Sequence, residues 1–215
     1  MAPRYTFLET ALAPGDDRFS PLLRSSLAHR HRAAGARFEE RDGWLVPTSY
    51  PDAGEERRVA IVDSSHAGKL EVKGGEMPDD PAIADCVEVG PAHWVVLCRY
   101  PDLAALHGRL ADHARLVVDR TSAWCALVLA GEAGAELLGA LSHVASLPAR
   151  GPLGRVPATF LRRPSGIWIL VSQEYAQYAW DLALDLAVPL GGGPAGSDDL
   201  AIPDPLLAAA AAHAA

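Results

Sequence analysis

Two strand-like runs followed by a helix-like run occur twice in this chain, and that order limits its fold more than any other feature. The first set is DCVEV and HWVVLCRY, joined through Gly90-Pro91. PDLAALHGRLADHA follows, spacing Leu103, Leu106 and Leu110 along one helical face after Pro101-Asp102. The later set is RVPATFLRR and GIWILVS, separated by a Pro164-Ser165-Gly166 turn. It ends in QEYAQYAWDLALDLA, a helix with Tyr175, Tyr178 or Ala179, and Leu182 on one face. Between the sets, Arg115 to Thr121 and Trp124 to Ala130 read as strands, and EAGAELLGAL as a helix opened after Gly131. Strict alternation of strand and helix would predict a parallel sheet. Paired strands before a helix predict an α+β fold with antiparallel pairing.

The flanking segments are read the same way. Ser20-Pro21 supplies a cap and a first-turn proline for a helix over Pro21 to Ala34, which Gly35 stops. ARFEERDGWLVPTSY turns at Asp42-Gly43 and reads as a hairpin, and Glu55 to Ala60 as one or two helical turns. Residues 1–190 are expected to form one domain, and 191–215 a Gly/Pro-rich linker with an Ala-rich tail that carries no function.

With 215 residues, 49% hydrophobic and 21% charged, the chain can bury a self-sufficient core. A net charge of -8 opposes non-specific binding to nucleic acid or anionic membrane, and no run reaches the apolar length of a membrane span. The three cysteines lack metal or disulfide spacing, and the N-terminus builds no signal-peptide core, so a reduced, cytoplasmic setting is expected. The lysines are Lys69 and Lys73 alone, and neither sits in an apolar, pocket-forming run.

Chemistry concentrates in VAIVDSSHAGKLEV, where Asp63, Ser64, Ser65 and His66 form a hydrophilic island between two apolar runs. The island reads either as a plain turn between strands or as a ligand contact. A hydrolase triad is not supported, because no GxSxG elbow accompanies the serines. His29 and His31, two apart on a helix, point to different sides and cannot chelate one ion, so they read as solvated and no metal site is expected. GGGPAG and GEAGAELLG lack the full phosphate-binding patterns. Tyr175, Tyr178 and Trp180 read as a core face with polar tips at its rim.

GARFEERDGWLVPTSY followed by IVDSSHAGKLEVKG resembles the start of the glycine-cleavage T-proteins (aminomethyltransferases). In that family Gly-Trp, then Pro and Tyr, precede an Asp-x-Ser-His-x-Gly-Lys-x-Glu-Val segment. DRTSAWCALVLAGEAGAELL and WILVSQEYAQYAWDLAL are similar to later strand-to-helix passages of the family, and the three blocks span most of residues 21–190. The resemblance implies a folate-binding fold of two related antiparallel-sheet-plus-helix halves around a central site. It implies tetrahydrofolate as cofactor, Tyr50, Asp63, His66 and Arg99 near the ligand, and Asp85, by position, as the acid/base that handles the one-carbon unit.

The chain departs from the pattern at several points. The Gly-Gly pair and one of two aspartates before the AIADCVEV passage are absent, the asparagine after the next strand is replaced by Cys98 or Arg99, and RRPSG stands where the family carries a pterin-binding glutamate. The C-terminal barrel has no counterpart, which makes the chain similar in size to the gamma subunit of heterotetrameric sarcosine oxidases. Three readings stay open. One is a folate-binding one-carbon transfer protein acting with a small amine. Another is a non-catalytic gamma-type subunit docked on a flavin-dependent amine oxidase, and the last a repurposed, folate-free enzyme. A homo- or hetero-oligomer is expected. A cavity-facing carboxylate at Glu71 or Glu88 would favour the first reading, and a cavity filled by Trp94, Trp124 or Trp168 the second.

Overall fold

The runs Trp124–Ala130 and Gly166–Ser172 bury both of their faces, which places them in the middle of a sheet rather than at an edge. The computed structural model, which describes residues 22–51, 57–80, 83 and 85–200, shows what covers each side. In chain order the elements begin with β1 (Leu23–Arg24), α1 (Ala28–Ala33), β2 (Arg37–Arg41), β3 (Trp44–Ser49), β4 (Val59–Asp63) and β5 (Gly68–Lys73). They continue with β6 (Cys86–Gly90), β7 (His93–Cys98), α2 (Leu103–Ala111), β8 (Leu116–Asp119), β9 (Trp124–Ala130) and α3 (Gly134–Leu141). The last are β10 (Ala149–Leu153), β11 (Val156–Arg163), β12 (Gly166–Ser172), α4 (Ala176–Ala187) and β13 (Gly192–Ala195).

Six strands form one sheet in the order β10-β11-β12-β9-β4-β13, and four form another in the order β6-β7-β5-β8. All pairs in both are antiparallel except β4 with β13. One face of the six-stranded sheet, carrying Ile61, Leu127, Phe160 and Ile169, packs against α3 and α4. Its other face presents Val62, Val128, Leu161 and Trp168 to Val95 and Leu97 of β7. The far side of the four-stranded sheet is covered by Leu103, Leu106 and Leu110 of α2. The layers therefore run helices, sheet, sheet, helix. The fold class is α+β, and among the described residues no sheet closes into a barrel.

The β2–β3 hairpin turns at Asp42-Gly43 as expected, with positive φ at both residues. Four segments differ from expectation. The first helix starts only at Ala28, because Leu23–Arg24 instead pairs in parallel with β3 and Ser25 Oγ accepts the Leu27 N–H. Val59 and Ala60, expected to be helical, belong to β4, whose apolar residues are held between β9 and β13. Residues 52–56 lie outside the described residues. Gly192–Ala195, expected to be linker, is an edge strand, and a Cβ on Gly196 would meet the Thr48 carbonyl carbon at 2.0 Å. These glycines allow close backbone approach rather than slack. The tail beyond residue 200 lies outside the described residues. Finally, α4 buries Ala176, Ala179, Trp180 and Ala183, while Tyr175 and Tyr178 are exposed. Small alanines bring that helix close to the sheet, leaving no room there for the tyrosine rings.

Candidate functional site

The hydrophilic island is the point where the chain crosses between sheets. β4 ends at Asp63, a turn closed by Ala67 N–H donating to the Ser64 carbonyl follows, and β5 starts the second sheet at Gly68. Asp63, Ser64, Ser65, His66 and Lys69 are all buried there. Buried polar groups cost stability unless paired, so their partners decide what the turn is.

Asp63 Oδ2 lies 2.8 Å from His31 Nε2, and His31 Nδ1 lies 2.6 Å from the Tyr50 hydroxyl. An ionised carboxylate only accepts, so Nε2 carries a proton and donates it to Asp63, while Nδ1 shares the second hydrogen bond with the Tyr50 hydroxyl. Asp63 Oδ1 accepts the Ser65 N–H at 3.0 Å and the Ser65 hydroxyl at 2.5 Å. Burial pushes the Asp63 carboxyl up, and the hydrogen bonds from His31, Ser25 and Ser65 outweigh it, bringing it down to about 2. Burial, with the Asp63 charge nearby, raises the Tyr50 phenol above its ordinary value.

The structure thus joins Tyr50 and Asp63 through a residue the sequence reading assigned to solvent. His31 is fully buried, edge-on to Trp180 at 4.8 Å. A signal was present: His31 follows the fully buried Leu27 by four residues, so the two share a helix face. His66 sits beside this network. Its Nε2 is buried without a hydrogen-bond partner among the described residues, and burial lowers its imidazole to about 4. Lys69, expected outside any apolar enclosure, is fully buried. Its Nζ donates to the carbonyls of Ser65 at 2.8 Å and Ala67 at 2.7 Å, and burial lowers the amine to about 8.

Asp85 and Arg99 make their own ion pairs instead. Asp85, just before β6, receives Arg163 Nη1 at 2.6 Å and Nη2 at 3.0 Å, and the same guanidinium lies 5.3 Å from the Trp168 ring centroid. Arg99 holds both Asp42 oxygens at 3.2 Å, anchoring the hairpin turn. Glu71 accepts from His93 and Lys73 on Oε1, each at 2.9 Å, and from Arg120 on Oε2 at 2.8 Å. Burial pushes its carboxyl up, but Lys73 and Arg120 hold it at about 2. Glu88 is exposed, and Trp168 is fully buried between the sheets.

A cleft of about 520 Å³ opens on the six-stranded sheet, lined by Trp124, Thr159, Leu170 and Ser172, with Arg150 and Arg155 among its walls. Arg120 stacks 5.7 Å from the Trp124 ring centroid, and Arg150 Nη1 reaches His93 Nδ1 at 3.4 Å. The cations around Glu71 therefore continue to the cleft. Among the described residues no three His, Cys, Asp or Glu side chains converge as a metal site.

No protein-family model matches the chain. An aminomethyltransferase of Mycobacterium leprae (strain Br4923) is 43% identical over 58 residues, 25% of this chain and 16% of that protein. One from Mycobacterium tuberculosis (strain ATCC 25618 / H37Rv) is 33% identical over 87 residues, 36% of this chain and 24% of that protein. The chain thus matches a quarter or less of the length of these curated relatives. The glycine cleavage system aminomethyltransferase T from Bartonella henselae superposes with a TM-score of 0.64 at 15% identity, covering 83% of this chain and 60% of that one. The fold is T-protein-like. A chain of the heterotetrameric sarcosine oxidase from Corynebacterium sp. U-96 superposes with a TM-score of 0.55 at 16% identity, covering 78% of this chain and 96% of that one. Both solved neighbours match the resemblance carried by the GWLVPTSY and DSSHAGKLEV segments, and they bear on the fold alone.

Proposed function

We propose that this T-protein-like chain holds a tetrahydrofolate-type ligand in the Trp124 cleft, as a component of one-carbon handling at the formaldehyde level. The observation that carries the reading is the cleft itself. Its volume of about 520 Å³ falls within the range of small-molecule sites. Trp124 offers a flat ring against which a pteridine can stack, and Thr159 and Ser172 offer hydroxyls. Arg150 and Arg155 suit the carboxylates of a glutamyl tail. When bound, tetrahydrofolate supplies the nitrogens that carry the one-carbon unit, and this chain's residues bind and orient it.

Neither Asp85 nor Glu71 lines the cleft, and both are already paired, Asp85 by Arg163 and Glu71 by His93, Lys73 and Arg120. That pairing, with Trp168 filling the space between the sheets, favours a second reading: a binding or gamma-type subunit without transfer chemistry, docked on a partner such as a flavin-dependent amine oxidase. The two readings separate at Asp85. Under the first, Asp85→Asn abolishes aminomethyl transfer with ligand affinity in the cleft unchanged, at some cost in stability because buried Arg163 loses its paired carboxylate. Under the second, no transfer exists to abolish.

Anaerobic calorimetric titration of the reduced protein with tetrahydrofolate tests the proposal. Micromolar binding is expected, weakened about tenfold or more in Trp124→Ala through loss of stacking. Absence of heat at millimolar ligand, in a protein that melts cooperatively, would rule the reading out.

A further inference from the structure

Strand β8 ends its sheet: among the described residues its one strand partner is β5. The Arg120 N–H donates to the Lys69 carbonyl at 2.8 Å, and backbone direction alternates along a strand. Leu116 and Val118 therefore also turn their N–H and C=O groups toward β5, while Val117 and Asp119 turn theirs away from it. Those outward groups have no hydrogen-bond partner among the described residues. The edge is also within reach of solvent. Leu116 is 48% exposed, Arg115 and Asp119 are exposed, and Val117 and Val118 are half-buried. Such an edge is a template for another strand.

The residues of the edge say which strand fits. Arg115-Leu-Val-Val-Asp119 carries a cation at one end, an anion at the other and apolar residues between. Antiparallel pairing with a copy of itself, Val117 against Val117, sets each Arg115 opposite the Asp119 of the second copy and each Leu116 opposite Val118. The two outward-turned Val117 residues then meet as a mutually hydrogen-bonded pair, as the alternation requires. Centring the pair on Val118 also satisfies the alternation, but it sets Val117 against Asp119 and Leu116 against Arg120. Charge selects the first register. The helix above the edge suits the same partner, since α2 packs over β5 and β8. Arg109, bonded to Asp80 at 2.8 Å in the segment leading to β6, marks the flank of α2 that faces away from the β8 edge. The opposite flank carries Ala104 and Ala111 with Gly108 beside them, all exposed and small. Joining two β8 edges at the sheet spacing of about 4.8 Å brings the two helices to roughly 10 Å, a packing distance that small flanks allow.

We propose that the β8 edge is a self-association surface whose partner is a second copy of this chain, the two four-stranded sheets joining across a two-fold axis at Val117. The surface does not rest on the folate reading, since no residue of β8 lines the Trp124 cleft.

Sedimentation equilibrium of the full chain should show a monomer–dimer equilibrium in the micromolar range, as expected of an interface of modest area. Arg115→Glu sets like charge against Asp119 on both sides of the axis and should weaken the dimer at least about tenfold. Asp119→Lys should do the same against Arg115. An equimolar mixture of the two variants restores oppositely charged pairs, so it should dimerise about as well as the wild type, with one copy of each. Val117→Pro removes an outward N–H, leaves the bonds of Leu116 and Val118 to β5 in place, and should give a monomer that melts cooperatively. A wild-type chain that stays monomeric at millimolar concentration would overturn the proposal. So would a dimer untouched by Arg115→Glu, or two folded, monomeric charge variants that fail to associate when mixed. If Val117→Pro, or Asp119→Lys with its lost bond to the Thr121 N–H, does not fold, Arg115→Glu decides.

Discussion

Replacing Asp63 by alanine is expected to destabilise the protein by about 3–5 kcal/mol, since the change leaves several buried donors without an acceptor. His31 Nε2–H, the Ser65 N–H and the Ser65 hydroxyl all depend on this carboxylate. Each of them is enclosed: His31 is fully buried and Ser65 nearly so. In a domain of this size, a loss of that order lowers the melting temperature by roughly 10 °C. Tyr50→Phe removes one hydroxyl from the end of the chain of bonds and should cost only about 1 kcal/mol. His31→Ala leaves a buried carboxylate short of its main donor, so it should cost nearly as much as Asp63→Ala. The double variant should lose clearly less than the sum, because both single changes break the same bond. Urea unfolding at neutral pH measures all four proteins. A loss below about 1 kcal/mol for Asp63→Ala would show that the network is not what joins α1 to the sheet crossover.

The same buried groups set the response to acid. His66 takes its proton at about 4 in the folded chain and at 6.5 when unfolded, because burial disfavours the imidazolium. Between those values the unfolded chain binds more protons, so stability rises with pH. The contribution is complete above pH 6.5 and is lost as pH falls through 4, to a total of about 3 kcal/mol. Asp63, lowered from 3.8 to about 2, extends the loss with the same sign below pH 3.8. Lys69, lowered from 10.5 to about 8, adds a further rise in stability as pH passes upward between those two values. Unfolding free energies measured in steps from pH 7 to pH 4 should therefore fall steadily. In His66→Gln that span should be nearly flat, with the steep loss delayed until Asp63 titrates. A wild-type profile already flat from pH 7 to pH 4 would mean that His66 is not held neutral by burial.

Much of this architecture was legible in local pattern. Leu103, Leu106 and Leu110 announced α2, and the paired runs before it announced an antiparallel sheet. Asp42-Gly43 announced its hairpin because only a few residue types accept positive φ at both positions. What local pattern could not carry was partnership across distance. Gly192–Ala195 reads as a linker until β4 is seen to pair with it, since a glycine-rich strand has no alternation to display. Arg150-Gly-Pro hides β10 in the same way.

The site divides along the same line. Tyr50, Asp63 and His66 are expected beside the ligand; the fold gathers them at the crossover between sheets, and none of them lines the Trp124 cleft. His31 was missed because a histidine among arginines looks solvated until Trp180 covers it from a helix far along the chain. Lys69 was missed because its partners are backbone carbonyls, which no side-chain pattern reveals. Asp85 stands where the family resemblance put it, immediately before β6, yet its partner Arg163 comes from the other sheet.

The structure of the complex with tetrahydrofolate is the measurement to make. The pteridine should lie against the Trp124 indole in the cleft of about 520 Å³, with the glutamyl carboxylates toward Arg150 and Arg155. A saturated complex with that cleft empty, or with the ligand held elsewhere, would contradict the assignment of the folate site to the Trp124 cleft.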